Sequence, residues 1–333
     1  MGCDNVRVCV TGGTGFLGAA LVRDLLAKQV QVTVLARPSR RADRLGTQGV
    51  EIVRGALDDP DAIARAVADA DVVYHLAARV DAPGSKADFL DANVGGTERV
   101  LTACLRHGVG RVIYASSLAV YGPIASGECI DENTAHDASP QLRDAYAESK
   151  ILAEQLVVSF ALGNRLPIAI VRPGIVYGPS RSLPVGLLAF TLGRHNFVFG
   201  DRNNHLPLNY VENLVDAIQL IAGSPSTEQL QQFNILDDDE LTLAKYHAAK
   251  TEIDKTATHF VAGWPVLLAA PFAEGVLKVM PNSGGVRFST YQVKRGLQDR
   301  CHDTRRIREQ TGWAPKVPLK DALYRTWRKG PSA

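Results

Sequence analysis

The amino-acid sequence predicts an α/β protein built on a doubly wound parallel sheet. Three observations carry that prediction. Short β-branched runs alternate with helical patterns through the first half of the chain. Those runs are continuously apolar, as strands covered on both faces are. A glycine-rich turn, TGGTGFLG at 11–18, joins the first run to the first helical pattern. Strands and helices alternating in this way form a parallel sheet with right-handed crossovers.

Taken in order, VRVCV (6–10) precedes a helix from Phe16 to about Lys28, and QVTVL (31–35) follows. EIV (51–53) leads to a helix near 60–69, and then comes DVVYHLA (71–77). A helix over roughly 88–107 precedes RVIYAS (111–116). AYAESKILAEQLVVSF (145–160) reads as helix, and IAIVR (168–172) and FNIL (233–236) as further strands. Stretches 178–208 and 237–300 are punctuated by Pro, Gly and Asn and read as loop-rich. The expected organisation is a nucleotide-binding domain over 1–175, with returning pieces near 209–236. A smaller, discontinuous substrate-binding part lies within 176–333.

A chain of 333 residues exceeds what one hydrophobic core usually supports, which fits that division. Apolar residues make up 46% and charged residues 22%, the balance of a soluble globular protein. Thirty-seven basic against 35 acidic side chains leave a net charge of +2, which gives no reason to expect nucleic acid. The five cysteines (Cys3, Cys9, Cys104, Cys129, Cys301) are odd in number, scattered and without a C-x-x-C pair. They suit a reduced compartment and no metal site. MGCDNVRV lacks the apolar core of an export signal, so a cytoplasmic location is expected. The longest apolar run, FVAGWPVLLAAPFA (260–273), is too short to span a bilayer and carries two prolines. It reads as a buried or interfacial helix.

The chemistry begins at the glycine turn. Gly12, Gly15 and Gly18 allow a tight turn and a close approach of backbone amides to a pyrophosphate, at a helix N-terminus that favours the anion. After a first strand and before a helix, that turn binds a dinucleotide. At the end of the second strand an NAD site usually has an acid for the ribose 2′-hydroxyl. Here LARPSRRADRL offers Arg37, Arg40 and Arg41 before Asp43, which suits a 2′-phosphate and favours NADP(H). Ser116 and Ser117 emerge from the carboxyl end of RVIYAS, where ligands of parallel sheets gather. Tyr146 and Lys150 lie four residues apart, on one face of their helix.

In order along the chain, TGGTGFLG, HLAA (75–78), NVGGT (93–97), SSLAVYG (116–122), YAESK (146–150) and RPGIVYGP (172–179) resemble the extended short-chain dehydrogenase/reductase family. The resemblance covers essentially the whole chain and implies a Rossmann-type domain. It makes Tyr146 the general acid/base, with Lys150 binding ribose hydroxyls and placing a cation beside the phenol. Ser117 becomes the partner of the substrate hydroxyl, and Asn93 a supporting residue in the central helix. Pro173 and Val176 would lie along the nicotinamide, while Thr14, Phe16, Leu17, Leu57 and Ala77 complete the cofactor-binding set. One departure is GAL at 55–57, with Ala56 where the family often has an Asp near the adenine amine. Relatives usually dimerise through the helices near 88–107 and 145–162, so a homodimer is expected.

The family holds oxidoreductases, nucleotide-sugar epimerases and dehydratases, and a few regulators that bind a dinucleotide without turnover. Intact Ser117, Tyr146 and Lys150 argue against a regulator. Sugar-nucleotide members commonly place an Arg just before an aromatic-rich segment that here reads DRNNHLPLNYVENLVDAI (201–218). Leu206 occupies that Arg position, with Arg202 in the preceding loop. Residues 263–296 instead resemble the helical insertion of the 3β-hydroxysteroid dehydrogenase-like branch. Trp264, Leu267, Leu268, Phe272 and Val276 fall there at helical spacings and are expected to wall the nicotinamide with apolar surface. The expected activity is an NADP(H)-dependent interconversion of a ketone and a secondary alcohol on a largely apolar small molecule. A nucleotide-sugar epimerase or dehydratase is the alternative.

Overall fold

The computed structural model describes residues 6–328 apart from 81–82, 126–127, 182, 184–188, 226 and 280–289. Strands β1 (Arg7–Thr11), β2 (Gln31–Ala36), β3 (Glu51–Arg54), β4 (Val72–His75) and β5 (Arg111–Ala115) are joined by Ile168–Pro173 and Leu230–Ile235 in one sheet. All neighbouring pairs run parallel. The spatial order is β3, β2, β1, β4, β5, Ile168–Pro173, Leu230–Ile235. Its direction reverses between β1 and β4, so a crevice opens beyond Thr11 and His75, which are opposite each other in register. The α/β doubly wound parallel sheet predicted from the sequence is the observed one.

Strand alternation splits the core into two layers. Val8 and Val10 pack with Leu21 and Leu25 of α1 (Phe16–Ala27) and with Leu214 and Ile218 of the Val211–Gly223 helix. Cys9 packs on the other face, with Val100, Val157 and Ile63. Two short helices follow the second and third strands, α2 (Arg40–Gly46) and α3 (Pro60–Val67). Their starts are set by local chemistry: Ser39 accepts the Ala42 N–H and Asp59 the Ala62 N–H, with Pro60 in the first turn. The long helix near 88–107 is observed as Lys86–Leu90, a π-helical turn at Asp91–Gly95, and Gly96–Arg106.

Three expectations are corrected. The stretches read as loop-rich contain the antiparallel pair Ala189–Leu192 and His195–Phe199, joined by Ala257–Val261, and the helix Leu243–Asp254. Gly193, at φ +60°, turns the hairpin. Asn196 interrupts the apolar pattern, yet it is buried and satisfied by Thr191 and Thr256, both at 2.9 Å. Second, the cysteines are not all reduced: Cys129 and Cys301 form a disulfide across 172 residues, where Cys129–Ile130 pairs with Cys301–His302. Cys9 and Cys104 are free and buried, and Cys3 lies outside the described residues. Third, 264–279 is a helix, but Trp264, Leu268 and Phe272 are 65%, 71% and 79% exposed. That excludes a buried helix at those three positions, and the Val276 side chain lies outside the described residues. Among the described residues no helix is long and apolar enough to cross a membrane.

Candidate functional site

The glycine turn is held where only glycine fits. A Cβ on Gly12 (φ +77°) would stand 2.7 Å from the Ala77 amide nitrogen, and one on Gly18 would stand 2.1 Å from the Gly12 carbonyl oxygen. Gly15 caps α1 with no side chain, so no capping side chain occupies the first N–H groups of the helix. Thr14 is half-buried in the same turn. A pyrophosphate fits this cradle: the helix dipole and open N–H groups favour an anion, and glycine lets it approach. Leu17 and Val176 pack partly buried on one core layer, Leu57 on the other, and Pro173 is buried at its strand end. Arg37 follows β2, and Arg40 and Arg41 open α2; all three are exposed and without an ion pair among the described residues. Asp43, the first acid after them in the sequence, is taken by Arg54 at 2.7 Å.

Asp144 caps the helix Ala145–Gly163 by accepting the Ala147 N–H at 2.9 Å, which places half-buried Tyr146 in the first turn. One turn on, Lys150 is buried and donates to the Ala115 carbonyl at 2.6 Å and the Tyr114 hydroxyl at 3.2 Å. Ala115 lies two residues before Ser117. Ser117 caps a 3₁₀ turn, its Oγ accepting the Ala119 N–H at 3.1 Å, which leaves its own proton to donate. Burial pushes Lys150 down to about 8, opposed by the Glu154 carboxylate a turn further on. Burial acts to raise Glu154, but hydrogen bonding from His136 and the charge of Arg172 hold it down to about 2.

Asn93 connects this helix to the nucleotide side. Its Oδ1 accepts the Arg79 N–H at 2.6 Å, and its Nδ2 donates to the Arg79 carbonyl at 3.2 Å and to Ser149 Oγ at 2.8 Å. Ser149 in turn donates to the Tyr146 carbonyl at 2.7 Å. A second chain starts at the Ala77 N–H, which Thr11 Oγ1 accepts at 3.3 Å. Thr11 meets His75 Nδ1 at 2.7 Å, His75 Nε2 meets Thr97 Oγ1 at 3.0 Å, and Thr97 donates to the Asn93 carbonyl at 2.6 Å. Thr97 spends its proton on Asn93, so His75 carries its proton on Nε2 and accepts from Thr11 on Nδ1. Burial, with Lys150 near, pushes His75 down to about 3 and keeps it neutral.

Sequence reading singled out Asn93, Ser117, Tyr146 and Lys150 but gave no role to Thr11, His75, Thr97 or Ser149. Three of these stand inside the motifs TGGTGFLG, HLAA and NVGGT, and Ser149 inside YAESK. Two of their bonds, Asn93 to Ser149 and Thr11 to His75, join residues 56 and 64 positions apart, which no local pattern displays.

The model of the NAD dependent epimerase/dehydratase family matches residues 8–235. The chain belongs to that family. Among NAD dependent epimerase/dehydratase relatives, a 2-alkyl-3-oxoalkanoate reductase of Stenotrophomonas maltophilia (strain K279a) is 36% identical over 213 residues. That match spans 62% of this chain and 62% of the reductase's own length. A dTDP-glucose 4,6-dehydratase of Streptomyces niveus is 27% identical over 340 residues, 96% of this chain and 91% of that one. The UDP-glucose 4-epimerase of Thermotoga maritima, solved with UDP-glucose, matches at TM-score 0.70 and 22% identity over 97% of this chain and 98% of its own. That last likeness is one of fold. The relatives are extended short-chain dehydrogenase/reductase members, as the motifs implied.

Proposed function

We propose that the chain is an NADP(H)-dependent reductase/dehydrogenase that interconverts a ketone and a secondary alcohol on a largely apolar small molecule. The observation that carries this is Tyr146 on a capped first turn, with Lys150 one turn on and bonded beside Ser117. When bound, the nicotinamide supplies or accepts a hydride. In reduction the Tyr146 hydroxyl donates its proton to the carbonyl oxygen, and in oxidation it takes that proton back. The Lys150 ammonium stabilises the negative charge left on the phenol oxygen. Ser117 donates its free proton to the same substrate oxygen, and Asn93 holds the helix through Ser149. Arg37 and Arg40 would take the 2′-phosphate, since neither makes an ion pair among the described residues.

Three further observations support the ketone over the sugar nucleotide. Leu206 packs against the cluster of Tyr177, Leu208, Tyr210 and Tyr246, where a diphosphate-gripping Arg would be needed. Arg202 lies over the Phe260 ring at 5.8 Å. The reductase relative is named for a 3-oxo group on an alkyl-substituted alkanoate. We assign cofactor binding to 1–175 with pieces near 209–236 and substrate binding mainly to 176–333. Two copies would pair through the helices at 86–106 and 145–163, a pairing that sedimentation as a monomer at micromolar concentration overturns.

Tyr146→Phe tests the catalytic assignment. It deletes one hydroxyl, so folding and NADPH binding should persist while turnover of a reduced ketone falls about 10²–10⁴-fold. Unchanged kcat in the Phe variant, with chemistry rate-limiting, overturns it. Calorimetric titration with UDP, dTDP and GDP tests the substrate class: micromolar binding of any of them would promote the epimerase or dehydratase.

A further inference from the structure

We propose that Tyr114 is a positioning residue, whose hydroxyl holds the Lys150 ammonium in the direction the site needs. The inference rests on the roles given above to Tyr146 and Lys150, and it adds a side chain to which sequence reading gave no role. Tyr114 is the fourth residue of β5, buried on the face of the sheet that packs Val100 and Val157. Lys150 reaches it from the helix Ala145–Gly163. Lys150 Nζ donates to the Tyr114 hydroxyl at 3.2 Å and to the Ala115 carbonyl at 2.6 Å, and stands 4.7 Å from the Tyr114 ring centroid. An ammonium carries three protons in a fixed arrangement, so two bonds that hold it also set the direction of the third. Under the proposed function that third proton serves the ribose hydroxyls.

The Tyr114 hydroxyl is itself anchored, through a side-chain hydrogen bond with Thr97. Thr97 spends its proton on the Asn93 carbonyl at 2.6 Å and accepts from His75 Nε2 at 3.0 Å. Tyr114 therefore donates to the remaining lone pair of Thr97, and its oxygen is left to accept, as an ammonium requires. Burial raises the Tyr114 phenol well above its ordinary range, so the proton stays in place. The bonds then run unbroken from Lys150 through Tyr114, Thr97 and His75 to Thr11, the last residue of β1. The ammonium is thus tied to the strand that leads into the glycine turn.

A buried hydroxyl can also be merely structural, and the two roles differ in what they do to Lys150. A hydrogen bond to a charged form favours that form, so deleting the acceptor should let Lys150 lose its proton at lower pH. The other titratable groups facing Lys150 are Glu154 and Tyr146 on its own helix and His75 on β4. Tyr114→Phe removes none of them. It also keeps the ring beneath the ammonium, so only the hydroxyl is tested.

The test titrates cofactor with no substrate present. NADPH is added to wild type, Y114F, T97V and T97S at a series of pH values, with binding read by fluorescence. Wild-type affinity should fall as pH rises through about 8, where Lys150 loses its proton. In Y114F the fall should come about one to two pH units lower, the worth of a hydrogen bond to a charged group. T97V should shift the same way by less, because it frees the Tyr114 hydroxyl without deleting it, and T97S should follow wild type. Titration of the 2′-phosphate is common to all four proteins and cancels. Coincident curves for wild type and Y114F, with a lowered melting temperature in the variant, make Tyr114 structural and overturn the proposal. An affinity loss that is equal at every pH, or a shift to higher pH, overturns it as well. If Y114F does not fold, T97V decides: a shift to lower pH supports the proposal and an unshifted curve overturns it. NADPH oxidation with ketones is read separately. A wild type that reduces no ketone sinks the reductase reading, while the titration still decides the role of Tyr114.

Discussion

Under the proposed function, Arg37 is the side chain that would separate two cofactors differing by one phosphate. It is exposed and makes no ion pair among the described residues, while Asp43, the first acid after it in the sequence, is taken by Arg54. Arg37→Ala should weaken NADPH by about ten- to a hundredfold, as loss of a charge-assisted partner does. NADH, without the phosphate, should bind as before, and fluorescence titration of both cofactors checks it. Equal losses would remove Arg37 from the phosphate site. His75 makes a different, pH-dependent contribution. Its folded form stays neutral down to about 3, whereas in the unfolded chain it takes up a proton below about 6.5. As pH falls from 7 to 5 the unfolded state therefore binds more protons, and stability falls by about 2 kcal/mol from this residue. His247, pushed down to about 4 by burial, acts in the same direction, while Asp237, raised by burial to about 7, acts in the opposite one. Urea midpoints at the two pH values should therefore converge in His75→Gln relative to wild type. An identical acid loss in both proteins would mean that His75 is not held neutral.

The helical run from Lys86 to Arg106 carries the site's main surprise at the level of elements. Spacing predicts a helix near 88–107, and Ser85 starts it with a capping box closed by Asp88. Nothing in the spacing predicts the π-helical turn at Asp91–Gly95, a widened turn of the kind found at functional sites. Asn93 stands in that turn and holds both the Arg79 backbone and Ser149. Asn93→Ala should leave the Arg79 N–H without its acceptor, costing about 1–3 kcal/mol. It should also lower kcat by loosening the Tyr146 helix, and thermal melting with steady-state kinetics checks both. A variant with wild-type melting and kcat would remove Asn93 from the site. What was legible here is what repeats locally: the glycine turn, the Tyr146–Lys150 spacing and the apolar strands. The chains through His75 and Ser149 were not legible, because they depend on which strands become neighbours. The pair His195–Phe199 and Ala189–Leu192 escaped because Asn196 breaks the apolar pattern while being satisfied by distant partners.

At the scale of the molecule, the closing segment is bound to the rest of the chain at several points. Asn213 accepts the Val317 N–H at 2.9 Å, Trp313 is buried in the core layer of α1, and Cys301 is bridged to Cys129. Scattered cysteines in a sequence show no pairing; only the docking of Cys301–His302 on Cys129–Ile130 brings these two together. A link across so long a separation restricts the unfolded chain, so Cys129→Ser should cost about 2–4 kcal/mol. Urea unfolding of wild type in reductant should fall to the variant's level. A reductant with no effect on wild type would mean that the bridge does not form in solution.

The same bridge makes a covalent ring of residues 129 to 301, with β1 to β5 on its N-terminal tail. A protease that cuts once anywhere inside the ring opens the backbone without releasing a fragment. The nicked chain keeps its mass on a gel until a thiol is added, and only then do two pieces separate. During synthesis the ring cannot close until residue 301 has left the ribosome, by which time both strands that flank the Tyr146 helix are already made. Appearance of the oxidised pair in a growing chain therefore marks the moment at which the last segment has found its place.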